Sequence, residues 1–249
     1  MRPILIALGF LLGGCVSIGA PPISESSAAR VQELAERGNA EAQYHLGMFF
    51  NNGMAGKEQD PRRAFAWFQR AAQGGDALGA YKVGCYYAAQ FPGAVPFDEA
   101  KALEFKLVAA QAGYANAQQE VGAHYYRHGD FANAEHWWKL AGAQGETGAL
   151  FALSSLYLRG DGGKADAKLA YAYYKLGDRR WRALMKRDTP RITQISLDYL
   201  AEGLSAEDRR SADAFAEQFP AAPTPLTLDA RNSRRRIEAL IAAAGDARR

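Results

Sequence analysis

The sequence predicts an all-α protein, a right-handed αα-hairpin solenoid of about four units with helical caps at both ends. Three observations carry this. Four glycines, Gly38, Gly75, Gly113 and Gly145, recur at intervals of 37, 38 and 32 residues, the period range of stacked helical repeats. Between them one two-helix pattern returns, so that Leu46-Gly47 superposes on Val83-Gly84, Val121-Gly122 and Leu153-Ser154. Rings also recur in register: Phe50, Tyr87, Tyr125 and Tyr157 on the first helix, Trp67, Phe105, Trp137 and Tyr173 on the second.

Each unit has a physical logic. Ala64, Ala102, Ala134 and Ala170 coincide, as do Ala71, Ala109 and Ala141. Rings opposite small residues let two helices approach closely and interlock. One hairpin leaves an apolar face in water, so neighbours must stack to cover it. The ring series is therefore expected in the core rather than around a cofactor. Asp60-Pro61 places a capping carboxylate before a proline suited to the first helical turn. Asp98, Asp130 and Asp166 occupy comparable helix starts. The third unit is short because little more than His128-Gly129 joins its helices.

The first unit reads Ala40-Glu41-Ala42-Gln43-Tyr44-His45-Leu46-Gly47, then a Gly-containing loop, then Ala64-Phe65-Ala66-Trp67-Phe68 with Ala71-Ala72 and Gly74-Gly75. This resembles the Sel1-like repeat, a cousin of the tetratricopeptide repeat, over about residues 38–177. The second and third units keep the glycines and aromatics, and the fourth has Ser154 in place of the glycine. The resemblance implies a solenoid that binds other proteins and implies no reaction.

The N-terminus carries an address. Met1-Arg2 precedes an apolar run, Ile4 to Leu12, too short to span a bilayer. Leu12-Gly13-Gly14-Cys15 then resembles a bacterial lipobox, in which residues 1–14 are a signal peptide and Cys15 is the lipidated first residue of the mature chain. Val16 in place of aspartate then points to the periplasmic side of the outer membrane of a Gram-negative bacterium, with several acyl chains giving stable anchorage. Residues 15–27 read as a tether. Ala28 to Arg37, with Val31, Leu34 and Ala35 on one stripe, reads as a helix that opens the 28–177 solenoid and covers its first hairpin.

Beyond Gly177 the repeat fades. Residues 178–219 read as capping helices: Thr189-Pro190 opens one, and Ser205 caps another that runs to Phe219. Residues 220–249 read as a Pro-rich linker followed by a short basic helix led by Arg234-Arg235-Arg236, with Ile237, Leu240 and Ile241 on its apolar side. That helix is expected to fold back on the body rather than to bind lipid head groups.

Chemistry is sparse. The chain has 249 residues, 48% apolar and 23% charged, with a net charge of +3. So small and scattered a charge excludes a nucleic-acid reading. No catalytic fingerprint appears, and no carboxylate pair or triad spacing, so the chain is expected not to be an enzyme. Gly160-Asp161-Gly162-Gly163 lacks the later acidic ligands of a calcium loop. His124 and His128 lie four apart with His136 farther on, a weak metal signal without a further ligand. No metal or cofactor is therefore expected. With Cys15 lipidated, Cys85 has no intramolecular partner, and its alignment with Met48, Ala123 and Ser155 reads as a buried, inert thiol. Cysteine-rich relatives of the family bind β-lactam compounds, but the paired cysteines of those relatives are missing here.

What remains is surface recognition. In a curved solenoid the first helices line the hollow side, and their outward positions vary between units. Glu41, Leu78, Asn116 and Gly148 align there, as do His45, Lys82, Glu120 and Ala152. Glu41, His45, Lys82, Glu120, Asn51 and Tyr126 are the candidate partner-binding residues. The expected partner is a protein: an envelope enzyme, a secretion component or a toxic effector. The chain is then a scaffold or adaptor, or, as the resemblance to repeat-containing immunity proteins implies, an inhibitor of a type VI secretion effector such as a phospholipase. A β-lactam-binding or hydrolytic role ranks well behind both.

Overall fold

The computed structural model describes residues 23–163, 165–185, 191–219 and 221–246. The lipobox, Cys15 and the Thr189-Pro190 helix start lie outside the described residues. Among the described residues there are 13 helices and no strand. Helix α1 (Glu25–Glu36) is followed by four hairpins: α2 (Ala40–Asn52) with α3 (Pro61–Gln73), α4 (Ala77–Tyr87) with α5 (Glu99–Gln111), α6 (Ala115–Arg127) with α7 (Phe131–Ala143), and α8 (Thr147–Arg159) with α9 (Ala167–Met185). Then come α10 (Arg191–Ala201), α11 (Ala206–Gln218), α12 (Pro225–Arg231) and α13 (Ser233–Asp246). Each helix of the hairpin series packs on the next, as a stacked array requires.

The turn between hairpins is the same each time. Gly38, Gly75, Gly113 and Gly145 all take φ between 87° and 93°, a region that side chains other than glycine rarely enter. Each is followed by a helix start; Asn39 and Asp76 cap theirs by accepting from Ala42 N–H and Gly79 N–H. Within hairpins the connection varies in length, but its last residue is fixed. The N–H of Asp60, Asp98, Asp130 and Asp166 donates to the carbonyl of Phe50, Tyr87, Tyr125 and Tyr157 at 2.9–3.0 Å. The same aspartates cap α3, α5, α7 and α9.

The rings fill two roles that the sequence merges into one. The predicted series is mostly half-buried and pairs inside hairpins: Tyr87 stacks on Phe105 (centroids 6.0 Å) and Tyr157 on Tyr173 (5.6 Å). Four rings buried more deeply than that series stand one residue away from it, at Phe49, Tyr86, Phe68 and Trp138. The repeated Leu-Gly or Val-Gly pair explains the second helix. A Cβ at Gly47 would meet Phe68 at 2.7 Å, and one at Gly122 would meet Trp138 at 2.6 Å. Gly47 and Gly122 are each the seat of a ring from the partner helix. Trp138 is fixed there by its indole N–H, which donates to the Gln119 carbonyl at 3.1 Å.

The C-terminal region departs from expectation. The stretch read as a linker contains α12, capped by Thr224 with Pro225 in its first turn. Residues 221–246 then run back past the hairpins. Ala222 N–H donates to the Ala143 carbonyl, Thr224 Oγ1 to the Gly113 carbonyl at 2.8 Å, and Ala115 N–H to Thr227 Oγ1 at 3.0 Å. Gln144 ties the crossing together: its amide N–H groups donate to Gly113 O and Gln118 Oε1, and its Oε1 accepts from Thr224 N–H and Thr227 Oγ1–H. Finally α13 lays Ile237 among Val31, Leu34, Ala42 and Leu46 of α1 and α2. The basic helix folds back on the body, as expected, and closes the first hairpin jointly with α1.

Candidate protein-binding surface

The structure places five of the six candidate residues, all but Lys82, within internal contacts. Glu41, on the first turn of α2, accepts from Arg236 Nε at 2.7 Å. Arg236 also holds Asp229 through its Nη1. Burial works against the Glu41 carboxylate, but His45 and Arg236 outweigh it and hold its pKa at about 2. His45 is not outward: it is 3% exposed, and its Nε2 stands 3.8 Å from Glu41 Oε1 with no hydrogen-bond partner. Asn51 is likewise 3% exposed, and its Oδ1 accepts from the Tyr86 hydroxyl at 3.0 Å. Tyr126 donates its hydroxyl to Asp161 Oδ2 at 2.6 Å, with the Arg159 guanidinium over its ring.

Glu120 and Lys82 belong to the second and third hairpins, where the pattern changes. At the position that carries Phe68 in the first hairpin and Trp138 in the third, the second carries Lys106. Its stem occupies the ring slot against Gly84, whose added Cβ would stand 2.8 Å from Lys106 Cγ. Its ammonium pairs with Glu120 at 2.6 Å, and Glu120 also accepts from the Tyr81 hydroxyl at 2.6 Å. Cys85 lies beside this group. Burial and then the Glu120 carboxylate push its thiol up to about 11, consistent with an inert role. Lys82 is half-buried on the same helix.

Two features escaped the sequence reading. Phe97, in the connection before α5, is 66% exposed, and Val108 and Leu140, at equivalent positions of α5 and α7, are 48% and 39% exposed. The signal was available, since the two positions align once the repeat is drawn. The second feature is a carboxylate near the histidine pair. Glu99, on the first turn of α5, places Oε1 3.3 Å from His124 Nδ1 and 3.9 Å from His128 Nε2. The two imidazoles stack with centroids 4.2 Å apart. Burial, and then the neighbouring His128, lower the pKa of His124. A cavity of about 180 Å3 adjoins this cluster, lined by Phe97, Glu99, Lys106, Glu120, His124 and Arg127 among others.

Stacked hairpins with ring-into-glycine seats, identical inter-hairpin turns and varied outer positions define a helical-repeat scaffold, a class suited to binding proteins. Three segments, residues 40–76, 115–146 and 147–177, match the Sel1 repeat family, and the chain is accordingly a carrier of Sel1 repeats. The stretch left unmatched between them contains the second hairpin, with Lys106 in the ring slot and a long connection through Phe97. Among solved structures the chain is similar to c5321, described as a protective antigen of uropathogenic Escherichia coli with an SLR fold, at 22% identity and a TM-score of 0.57, over 84% of this chain and 51% of that one. The chain thus spans about half the length of that relative. It is similar also to a Sel1 repeat protein from Oxalobacter formigenes, at 20% identity and a TM-score of 0.58, over 78% of this chain and 83% of that one. These likenesses establish the fold alone. Similarity to the immunity protein Pa5087 of Pseudomonas aeruginosa reaches 20% identity over 82% of this chain and 86% of that one, with a TM-score of 0.43, too low to bear on function. No curated protein matches the sequence.

Proposed function

We propose that this chain is a non-catalytic adaptor, lipid-anchored through Cys15 on the periplasmic side of the outer membrane, that holds a protein partner against its hairpin stack. The carrying observation is the row formed by Val108 and Leu140. Apolar side chains scattered singly over a surface need no explanation. These two recur at one repeat position on successive second helices and are left open. In the fourth hairpin the same position, Leu176, is fully buried in a cluster with Ala216 of α11. The chain's own α11 therefore supplies a pattern for the occupant, an amphipathic helix of a partner lying across α5 and α7. The candidate surface thus moves from the first helices, whose start is covered by α13, to the second.

The test is capture of complexes from detergent-solubilised envelopes with the mature protein, beside Val108→Asp and Leu140→Asp variants. A stoichiometric protein partner, lost with both variants while their helical signal and melting stay unchanged, supports the row. Undiminished capture moves the contact elsewhere. Where the captured protein is an enzyme, its turnover with and without this chain separates an adaptor from an inhibitor. Cys15→Ser is expected to release the chain from the membrane fraction.

A further inference from the structure

We infer that Glu99, His124 and His128 form a binding site for a divalent transition-metal cation of the zinc class. The inference does not depend on the adaptor reading. The sequence offered two histidines and no third ligand; the fold supplies it from α5. One ligating atom from each of the three residues falls within 4.8 Å of the other two. Donors about 2.0–2.1 Å from a tetrahedral zinc stand roughly 3.3–3.4 Å apart. The His124 Nδ1 to Glu99 Oε1 distance is 3.3 Å, and the His128 Nε2 to Glu99 Oε1 distance of 3.9 Å needs only a small turn of two partly exposed side chains.

A second observation concerns the outer nitrogen. His128 Nδ1 lies 2.9 Å from the His124 carbonyl, the geometry of a ring tautomer that donates there. In that tautomer Nε2 presents its lone pair toward the Glu99 carboxylate, itself an acceptor. A bound cation satisfies both. The carbonyl in turn plays the part of the outer partner that orients a metal-ligating imidazole. Two imidazoles and one carboxylate suit zinc, copper or nickel and not calcium or magnesium, which take oxygen. Arg127 Nη1, 3.4 Å from the same Glu99 oxygen, is the competing charge. Its side chain is largely in solvent, so a metal ion displaces it at little expense. The adjoining cavity of about 180 Å3 leaves room for a fourth ligand, a water molecule or a side chain brought by a partner.

The experiment uses the full chain without an affinity tag, in detergent, stripped with chelator and titrated with zinc chloride by calorimetry and with cobalt chloride by visible absorption. One equivalent of zinc and the intense d–d bands of tetrahedral cobalt are expected. His128→Ala and Glu99→Gln should each weaken zinc by more than the roughly 10–100-fold that loss of a merely supporting group brings. His136→Ala, which removes a histidine outside the cluster, should change nothing. Circular dichroism of each variant shows that lost binding is not lost fold. No saturable binding, the pale spectrum of octahedral cobalt with the unaltered chain, or full affinity in both ligand variants each overturns the site.

Discussion

Arg236, thirteen residues from the C-terminus, places its Nε 2.7 Å from the Glu41 carboxylate on the first turn of the first repeat. The contact joins positions 195 residues apart and, with Arg30 Nη2 donating to the Ala244 carbonyl at 3.1 Å, forms the polar part of the attachment of α13, whose apolar part centres on Ile237.

Its pH dependence follows from the depressed Glu41 carboxyl. A carboxylate whose folded-state pKa lies near 2, against an ordinary value of 4.5, contributes stability that is fully present above about pH 4.5 and is lost as the pH falls toward 2. Glu41→Gln or Arg236→Ala is expected to destabilise the attachment by about 1–2 kcal/mol at pH 7, since both groups are only partly buried. The difference between wild type and Glu41→Gln should shrink below pH 4.5 and close near pH 2. Hydrogen exchange is the measurement: amides of α13 should lose protection in Arg236→Ala while those of α6 and α7 keep theirs. Uniform loss across the chain would show that α13 does not open separately.

The ring seats make a second, opposite-sign test. In an exposed helix interior Gly→Ala stabilises by roughly 1 kcal/mol. At Gly122 the new methyl would stand 2.6 Å from Trp138 Cδ1, and the indole N–H is bonded to the Gln119 carbonyl, so the ring has little room to yield. Gly122→Ala is expected to destabilise by about 1–3 kcal/mol through overpacking. Gly163→Ala, where nothing lies within 4 Å, should be near neutral. Denaturant midpoints at constant slope decide it.

Cys85 gives a chemical readout of the Tyr81–Glu120–Lys106 group. With its thiol at about 11 against an ordinary 9, the thiolate fraction at pH 8 falls about 100-fold. Iodoacetamide should therefore label Cys85 about 100-fold more slowly in the folded Cys15→Ser chain than in urea. Glu120→Gln should speed the labelling, because it removes a neighbouring negative charge. Rapid labelling of the folded Cys15→Ser chain would overturn this account of the site.

Much of the fold was legible because its rules are local. A glycine at a left-handed turn, an aspartate before a helix and a small residue opposite a ring each act within a few residues or one hairpin. Gly38, Gly75, Gly113 and Gly145, and the four capping aspartates, behave as the repeat pattern requires. The register of the rings was less clear, because Phe68 and Trp138 neighbour equally aromatic residues and only three-dimensional packing chooses which ring enters the glycine seat. The candidate site was legible least. The repeat pattern reads His45 and Asn51 as outward, yet both are 3% exposed. His45 stands beside Glu41, which an arginine nearly 200 residues away holds, and Asn51 accepts from a tyrosine of the next hairpin; neither contact leaves a periodic trace. Glu99 was hidden for the same reason: no spacing rule links it to His124.

The returning C-terminal segment also acts as a ruler. Ordinary helical arrays tolerate gain or loss of a unit, since each unit recognises only its neighbours. Here Thr227 must reach Gly113 while Arg236 reaches Glu41, a span set by the hairpins lying between. Adding or deleting one hairpin would shift one end by two helix layers, roughly 16–20 Å, more than the short turn at Asn232 can absorb. The two hairpins between Glu41 and Gly113 are thereby held to that number by α12 and α13, and duplication of a repeat within this span would have to be matched by a longer return path.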